Sequence, residues 1–443
     1  MLKLIYRNIL ARRGRYCWIF VELCLVALIS WTVLDEVVID TYKKVIPTGY
    51  DLDRLVTFRL AQKPDAGENT ETEGLTADQR GEIALGHLNR ILDRVRSDAR
   101  VESATFVNDL SPLSGSINVN SIPSGREEES GYYFTVQFWP GTDFFKTFGI
   151  TDAATGKVYE ETSMSGRDLI VAKSVADYLF PGEKAVGRFL EEYDKDHNPE
   201  KFSGIVGVVN DVIYRPDLAI TPIVYNTRKI RDLGRGGGIT SISPVIRLKP
   251  GVDVNKFIED FSPVVSKELR SGNIYAHSLQ SYEMKDEKMS RDMNNHDFIS
   301  MSIALFFFVN ILLCMVGTFY LQTRKRSEET GVMRTFGASR GFIVREMLGE
   351  GFIITTLAWL IGCAAYWFYI KDEGLEQLAY SFGDAPSSIM LQMTPTWIND
   401  FTTHFSVVSL IIYALMLLCV LLGIYIPARK ISRINPVDAL RDE

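Results

Sequence analysis

The stretch from Phe405 to Ile426 reads FSVVSLIIYALMLLCVLLGIYI and carries no charged side chain. A run of roughly 18 or more apolar residues is long enough to cross the hydrocarbon core of a bilayer as a helix. A soluble helix needs a polar stripe for water, and here only scattered hydroxyls interrupt the apolar surface. Three further blocks share this character. The first runs from Cys17 to Leu34, interrupted by Glu22 alone; another, from Phe298 to Leu321, has no charge; a third, from Met347 to Ile370, holds only Glu350. One such block would fit a buried core helix, but four together predict four membrane spans.

The flanking charges orient the spans. Lys3, Arg7, Arg12, Arg13 and Arg15 precede the first, with no acid among them. Arg324, Lys325, Arg326, Arg334, Arg340 and Arg345 lie between the second and third, and Arg429, Lys430, Arg433 and Arg441 follow the fourth. The connection between the third and fourth sets Lys371 against Asp372, Glu373, Glu376, Asp384 and Asp400. Short basic segments stay in the cytoplasm. Both termini and the loop between spans two and three are therefore expected inside, and the acidic connection and the long segment after span one outside. The first apolar block is too long for a signal core and lacks a small-x-small cleavage site, so it reads as a span and not as a cleaved leader.

The bulk composition conceals this pattern. The 443 residues are 46% hydrophobic and 23% charged, with 48 Lys+Arg against 55 Asp+Glu and a net charge of −7. Clumping of the apolar residues excludes a soluble enzyme, and the acidic balance argues against a nucleic-acid partner, which needs a basic face. All five cysteines (Cys17, Cys24, Cys314, Cys363 and Cys419) fall in or beside the apolar blocks. The outside segment is thus expected to fold around an ordinary core without disulfides.

The predicted fold class is a membrane protein of four transmembrane α-helices with a large α+β domain of two subdomains inserted between helices one and two. The expected divisions are a basic cytoplasmic terminus (1–16), the first span and start of a stalk (17–39), the outside domain (40–296), the second span (297–322), a cytoplasmic loop (323–346), the third span (347–370), an outer connection (371–404), the fourth span (405–427) and a cytoplasmic end (428–443). Within the outside domain, strands at Leu55 to Leu60 and Val101 to Val107 flank a helix opened by a Thr76–Gln79 capping box and running to Arg96. A strand at Val245 to Leu248, a helix from Val254 to Ser271 and a strand at Ile274 to Leu279 repeat that order. These two units, about 50–110 and 241–280, are expected to form one α/β subdomain around a β-rich insert at about 111–240. The insert's readings include strands at Tyr132 to Phe138, Leu169 to Ala172, Gly204 to Val209 and Ile223 to Tyr225, with short helices at Thr142 to Phe148 and Ser174 to Phe180.

No catalytic constellation emerges. His87, His197, His277, His296 and His404 are scattered without metal-binding spacing. The run Gly234 to Gly238 lacks the Lys-Ser/Thr of a phosphate loop and reads as a surface turn. The acidic runs Glu127 to Glu129 and Glu191 to Asp196 do not match an EF-hand and read as solvated loops. Glu22 and Glu350 each lie a few residues inside the cytoplasmic end of a span. Such carboxylates are either functional groups or interfacial side chains held by a nearby arginine.

The segment from Arg326 to Ala338 reads RSEETGVMRTFGA, with Glu350 about a dozen residues on, and the chain closes with Asn435-Pro436-Val437-Asp438-Ala439-Leu440-Arg441. This resembles the FtsX/MacB family of ABC-transporter permeases, which carries R-x-x-E-I-G, A-x-G-A and E at the first place and P-x-x-A-L-R at the second. Thr330 and Thr335 depart from that pattern, and the outer connection is longer than the family plan suggests. The segments from Asp143 to Gly149, Ile170 to Phe180 with Gly187, and Gly204 to Asp211 resemble the MacB-type periplasmic core.

The resemblance implies a permease-type subunit in the bacterial cytoplasmic membrane that dimerises, with itself or a related permease, and pairs with a cytoplasmic ABC ATPase. ATP and Mg are expected on that ATPase and no cofactor or metal on this chain, which has no Walker loop and is expected not to be an enzyme. With only sixteen residues before the first span, the ATPase is expected to be a separate protein. The implied mechanism is mechanical transmission, for export or extraction of peptides, amphipathic compounds or lipoproteins, with a periplasmic adaptor or outer-membrane partner. A regulator of an extracytoplasmic enzyme such as a cell-wall hydrolase, or a receptor without an ATPase, are the alternatives. The implied coupling residues are Arg326, Glu329, Gly331, Val332, Met333, Arg334, Phe336 and Gly337, with Pro436, Leu440 and Arg441 in the C-terminal motif.

Overall fold

The computed structural model describes residues 13–43, 45–63, 74–114, 116–122, 131–161, 164, 168–190, 203–214, 221–234, 239–373, 397–398 and 400–433. The C-terminal motif, the acidic runs, Arg235 to Gly238 and most of the outer connection lie outside these residues. The chain divides into two compact units. Met1–Tyr42, Asn295–Gln377 and Asp400–Glu443 make one, and Lys43–Asn294 with Leu378–Asn399 the other.

The chain enters through α1 (Arg13–Lys43), a single helix whose apolar part is Tyr16–Ile39. It continues beyond Asp35 as far as Lys43. The second unit then begins with β1 (Leu55–Gln62), α2 (Ala77–Arg96) and β2 (Val101–Val107). Next come β3 (Val119–Ile122), β4 (Gly131–Phe138), α3 (Phe144–Phe148), β5 (Asp168–Ala172), α4 (Lys173–Leu179), β6 (Phe189–Leu190), β7 (Ser203–Val209) and β8 (Ile223–Thr227). It closes with β9 (Ser243–Leu248), α5 (Val254–Lys267), β10 (Arg270–Ser271) and β11 (Ile274–Ser281).

Two sheets result. The first is antiparallel in the order β10-β11-β1-β9-β2. Against it pack two amphipathic helices. On α2 the buried residues Ala84, Leu88, Ile91, Leu92 and Val95 recur at helical spacing, and on α5 Phe257, Phe261 and Val265 do the same. The capping box on α2 forms as the sequence predicts: Thr76 Oγ1 accepts from Gln79 N at 3.3 Å, and Thr76 N donates to Gln79 Oε1 at 2.9 Å. The second sheet is mixed, in the order β3-β4-β8-β5-β7-β6, with β4–β8 and β5–β7 parallel. The aromatic side chains of α3 fill its core, where Phe144 and Phe145 pack on Phe138 and Tyr225.

Two helices are shorter than their sequence pattern predicts. The expected helix from Val254 to Ser271 ends at Lys267, because Arg270–Ser271 pairs with Tyr275 and Ile274 across a two-residue Gly272-Asn273 hairpin turn. Gly272 has φ +60° there, a conformation that favours glycine. The expected turn from Thr142 shortens to α3 because Asp143 takes a left-handed φ of 58°. Strands β3, β6 and β10 have no counterpart in the sequence reading.

The chain leaves the second unit through α6 (Tyr282–Arg324), followed by α7 (Ser327–Thr335), α8 (Arg340–Glu373) and α9 (Phe401–Ile431). Among the described residues three helices are long and apolar enough to cross a membrane: Tyr16–Ile39, Arg340–Lys371 and Phe401–Ile431. The expected second span falls within α6, where the apolar stretch is Met301–Asn310.

Candidate functional site

Helix α6 ends at Arg324, and two residues later the chain turns into the short α7. Glu328 and Glu329 occupy the first turn of α7, where the helix dipole favours acids. Arg326 stands immediately before it and folds back into the bundle, leaving 5% of its surface exposed. Its Nη1 donates to Glu350 Oε2 at 2.5 Å, and Nη2 lies 3.4 Å from Oε1. The Tyr16 hydroxyl of α1 donates to the same Oε2 at 2.6 Å. Arg326 Nε also reaches Glu329 Oε2 at 3.4 Å, within its own loop. Glu350, 2% exposed on α8, is therefore the point at which α1, the loop before α7 and α8 meet.

A forked guanidinium on a carboxylate is among the stronger charge-assisted contacts, and its geometry fixes direction as well as distance. Enclosed as it is, removing either partner would strand a buried charge at a cost of about 3–5 kcal/mol.

The far end of α7 is tied as well. Arg334 Nη1 donates to the Ser432 carbonyl, just past the last turn of α9, at 3.1 Å. The helix stops in a Schellman turn: Ala338 N donates to Met333 O at 3.0 Å, and Gly337 takes φ +88°. A side chain with a Cβ would be strained at that φ, which explains the glycine. Phe336, just before it, is 88% exposed, and Val332 is 43% exposed on the same short segment.

The implied coupling residues thus separate into two groups. Arg326, Glu329 and Arg334 make bonds within the chain, with Gly331 buried and Met333 half-buried. Val332 and Phe336 present apolar surface outward. Arg334 and Glu329, read from sequence as charges offered to a partner, also hold α7 within the chain. Among the described residues no arginine is paired with Glu22. It is half-buried, and Cys314 Sγ of α6 lies 3.5 Å from its Oε1. Pro436, Leu440 and Arg441 lie outside the described residues.

Sequence reasoning missed several groups in this unit. Tyr16 reads as one aromatic at a helix start, with nothing in the sequence to link it to Glu350. Glu346, 1% exposed, shares the Glu350 face at a spacing of four, a signal that was present and unused. At the other end of these helices, His404 Nε2 lies 2.7 Å from Asp35 Oδ1, both side chains buried. Near them Trp31 is stacked between Tyr366 and Phe405, with ring centroids at 4.8 and 4.9 Å. Close helix crossings support both ends. A Cβ on Gly351 would lie 2.2 Å from Ile424 Cδ1 of α9, and one on Gly362 2.6 Å from Ala27 Cβ of α1. Small residues at such crossings let membrane helices approach closely.

Residues 301–436, which hold Arg326, Arg334, Glu350 and His404, match the FtsX-like permease C-terminal family. The macrolide export ATP-binding/permease protein MacB of Shewanella sp. (strain W3-18-1) is 24% identical over 323 residues, which are 68% of this chain and 42% of that protein. The chain therefore spans about two fifths of the length of this relative. Among solved structures, the periplasmic region of MacB from Actinobacillus actinomycetemcomitans covers 55% of this chain and 94% of its own at 8% identity, with a TM-score of 0.30. The extracellular domain of the ABC-type transporter YknZ from Gram-positive bacteria covers 50% and 100% at 10% identity, with a TM-score of 0.26. The chain thus carries an FtsX-like permease C-terminal domain and is homologous to MacB over the 323 residues aligned.

Proposed function

We propose that this chain is the non-enzymatic, permease-type membrane subunit of a bacterial ABC complex, and that it transmits ATP-driven motion mechanically. A separate cytoplasmic ATPase would dock on α7, and its closure would move the helices and, through them, the domain outside. The chain would cross the inner membrane four times, with α6 supplying the second span and both termini in the cytoplasm. It would work as a dimer, with itself or a related permease, on peptides, amphipathic compounds or lipoproteins. An adaptor or outer-membrane partner would complete the path.

One observation carries this reading. Phe336 stands 88% exposed at the end of a short helix whose beginning is locked by Arg326 to buried Glu350. An apolar anchor that projects outward, on a segment fixed to three helices behind it, can take a push without yielding. A helix merely resting on lipid would not need a buried ion pair to hold its base.

The test is purification of the tagged chain in mild detergent, with and without ATP, and identification of what accompanies it. A co-purifying ATPase is expected, with at least tenfold weaker association for Phe336→Ala and an unchanged melting temperature. If no ATPase appears even after cross-linking, transmission is the wrong reading.

A further inference from the structure

The run Lys43–Asn294 of the second unit starts at the last residue of α1 and ends within α6. Motion carried along those two helices must pass the residues that follow one and open the other. Tyr50, on the way in, and Tyr282, at the head of α6, meet on one side chain. Phe148, the last residue of α3, is fully buried and stands edge-on to both rings, with centroids 6.0 Å from Tyr50 and 5.8 Å from Tyr282. Its carbonyl accepts from Asp51 N at 3.3 Å.

Helix α3 has little freedom to absorb a displacement. Asp143 and Gly149 bound it with left-handed φ of 58° and 74°. Arg247 of β9 pairs with Asp51 and donates from Nη1 to the Thr147 carbonyl at 3.3 Å. A Cβ on Gly149 would lie 2.5 Å from that same Nη1. Thr147 Oγ1 donates to Ser103 Oγ of β2 at 3.2 Å. The other aromatic residues of α3, Phe144 and Phe145, stand in the core of the second sheet against Phe138 and Tyr225. Protein interiors are close-packed and transmit strain, and edge-on ring pairs have a preferred geometry. A shift of Tyr50 against Tyr282 therefore moves α3, and α3 moves the core of the β-rich insert.

We propose that Phe148 is a positioning residue for transmission. Wedged between the incoming and outgoing chain, it passes their relative displacement to the second sheet, which is then the part of this unit that responds to ATP. This deepens the transmitter reading above and rests on it.

The experiment is amide hydrogen exchange on the full chain in lipid nanodiscs with its co-purified ATPase, with and without ATP. ATP is expected to change exchange rates about fivefold or more in two places, around Tyr50 and Tyr282 and in α3 and β8. Phe148→Leu keeps the site apolar and removes both ring contacts; it is expected to leave the first change and abolish the second. Tyr282→Leu should do the same from outside the insert, and Tyr282→Phe, which keeps the ring, should respond as the wild type does. Phe144→Leu is the control for packing alone. Phe144 is equally buried, but its ring neighbours are Phe138, Phe145, Phe148 and Tyr225. It should lower the melting temperature and keep the ATP-dependent change. An undiminished response of α3 and β8 in Phe148→Leu and Tyr282→Leu would overturn the proposal, as would an equal loss in Phe144→Leu. A wild-type change that stops at Tyr50 and Tyr282 would also overturn it and leave transmission standing. Absence of any ATP-dependent change at those two residues would remove transmission itself, and this role of Phe148 with it.

Discussion

Glu350 and Glu22 are the same residue type in two helices of one unit, and their surroundings are opposite. Glu350 is 2% exposed and takes bonds from Arg326 and Tyr16. Glu22 is half-buried, faces a thiol and has no cation of its own chain beside it among the described residues. A membrane carboxylate with its partners built in holds helices together. Residue type alone does not separate the two; the inventory of neighbours does.

The largest expected effect comes from breaking the closed pair. Glu350→Ala would leave the buried Arg326 guanidinium without its nearest carboxylate, and should destabilise the helical unit by about 3–5 kcal/mol. Thermal unfolding in detergent reads this directly. The double variant Arg326→Leu, Glu350→Leu strands no charge and should recover most of the loss. If the single and double variants were equally unstable, the pair would not be the source of the effect.

Lys285 sharpens the comparison from the side of the cations. It lies at the start of α6, half-buried, with its ammonium 4.9 Å from the centroid of the Tyr282 ring. Burial, reinforced by Arg59, lowers its pKa to about 8, although Asp109 pulls the other way. Where Arg326 has a carboxylate in contact, Lys285 has none among the described residues. The unfolded chain therefore holds this proton more tightly than the fold does. The resulting penalty is fully present below pH 8 and disappears as pH rises from about 8 toward the ordinary lysine value of 10.5. Lys285→Met should raise stability near neutral pH by about 1–2 kcal/mol. That gain should vanish at the alkaline end of a series of melting curves, and a gain independent of pH would disprove the cause.

Much of the fold was legible because it rests on local patterns. Val101–Val107 is a strand with the limits read from sequence, and the Thr76 cap forms as its spacing requires. The long apolar stretches around Phe405 and Met347 lie in helices, which satisfy their backbone groups within one segment. Illegible features depend on contacts between distant segments. Tyr16 and Glu350 are 334 residues apart in the chain, and Asp35 and His404 meet from opposite ends of the sequence. No local signal links either pair. The β10 turn was missed for another reason: Gly272-Asn273 is a hairpin signal, but the helical periodicity before it extends through Leu269 and masks it.

The smallest expected effect is the one that completes the contrast. Glu22→Gln removes a charge with no partner cation among the described residues and keeps the shape of the side chain and a polar atom near Cys314. Its effect on thermal stability should be within about 0.5 kcal/mol of zero, the range of a substitution away from any network. A several-fold larger destabilisation would show that Glu22 is as structural as Glu350, through a contact outside the described residues. Stability unchanged would separate the two carboxylates: Glu350 would be a fastening between helices, and Glu22 a group on whose charge the fold does not rest.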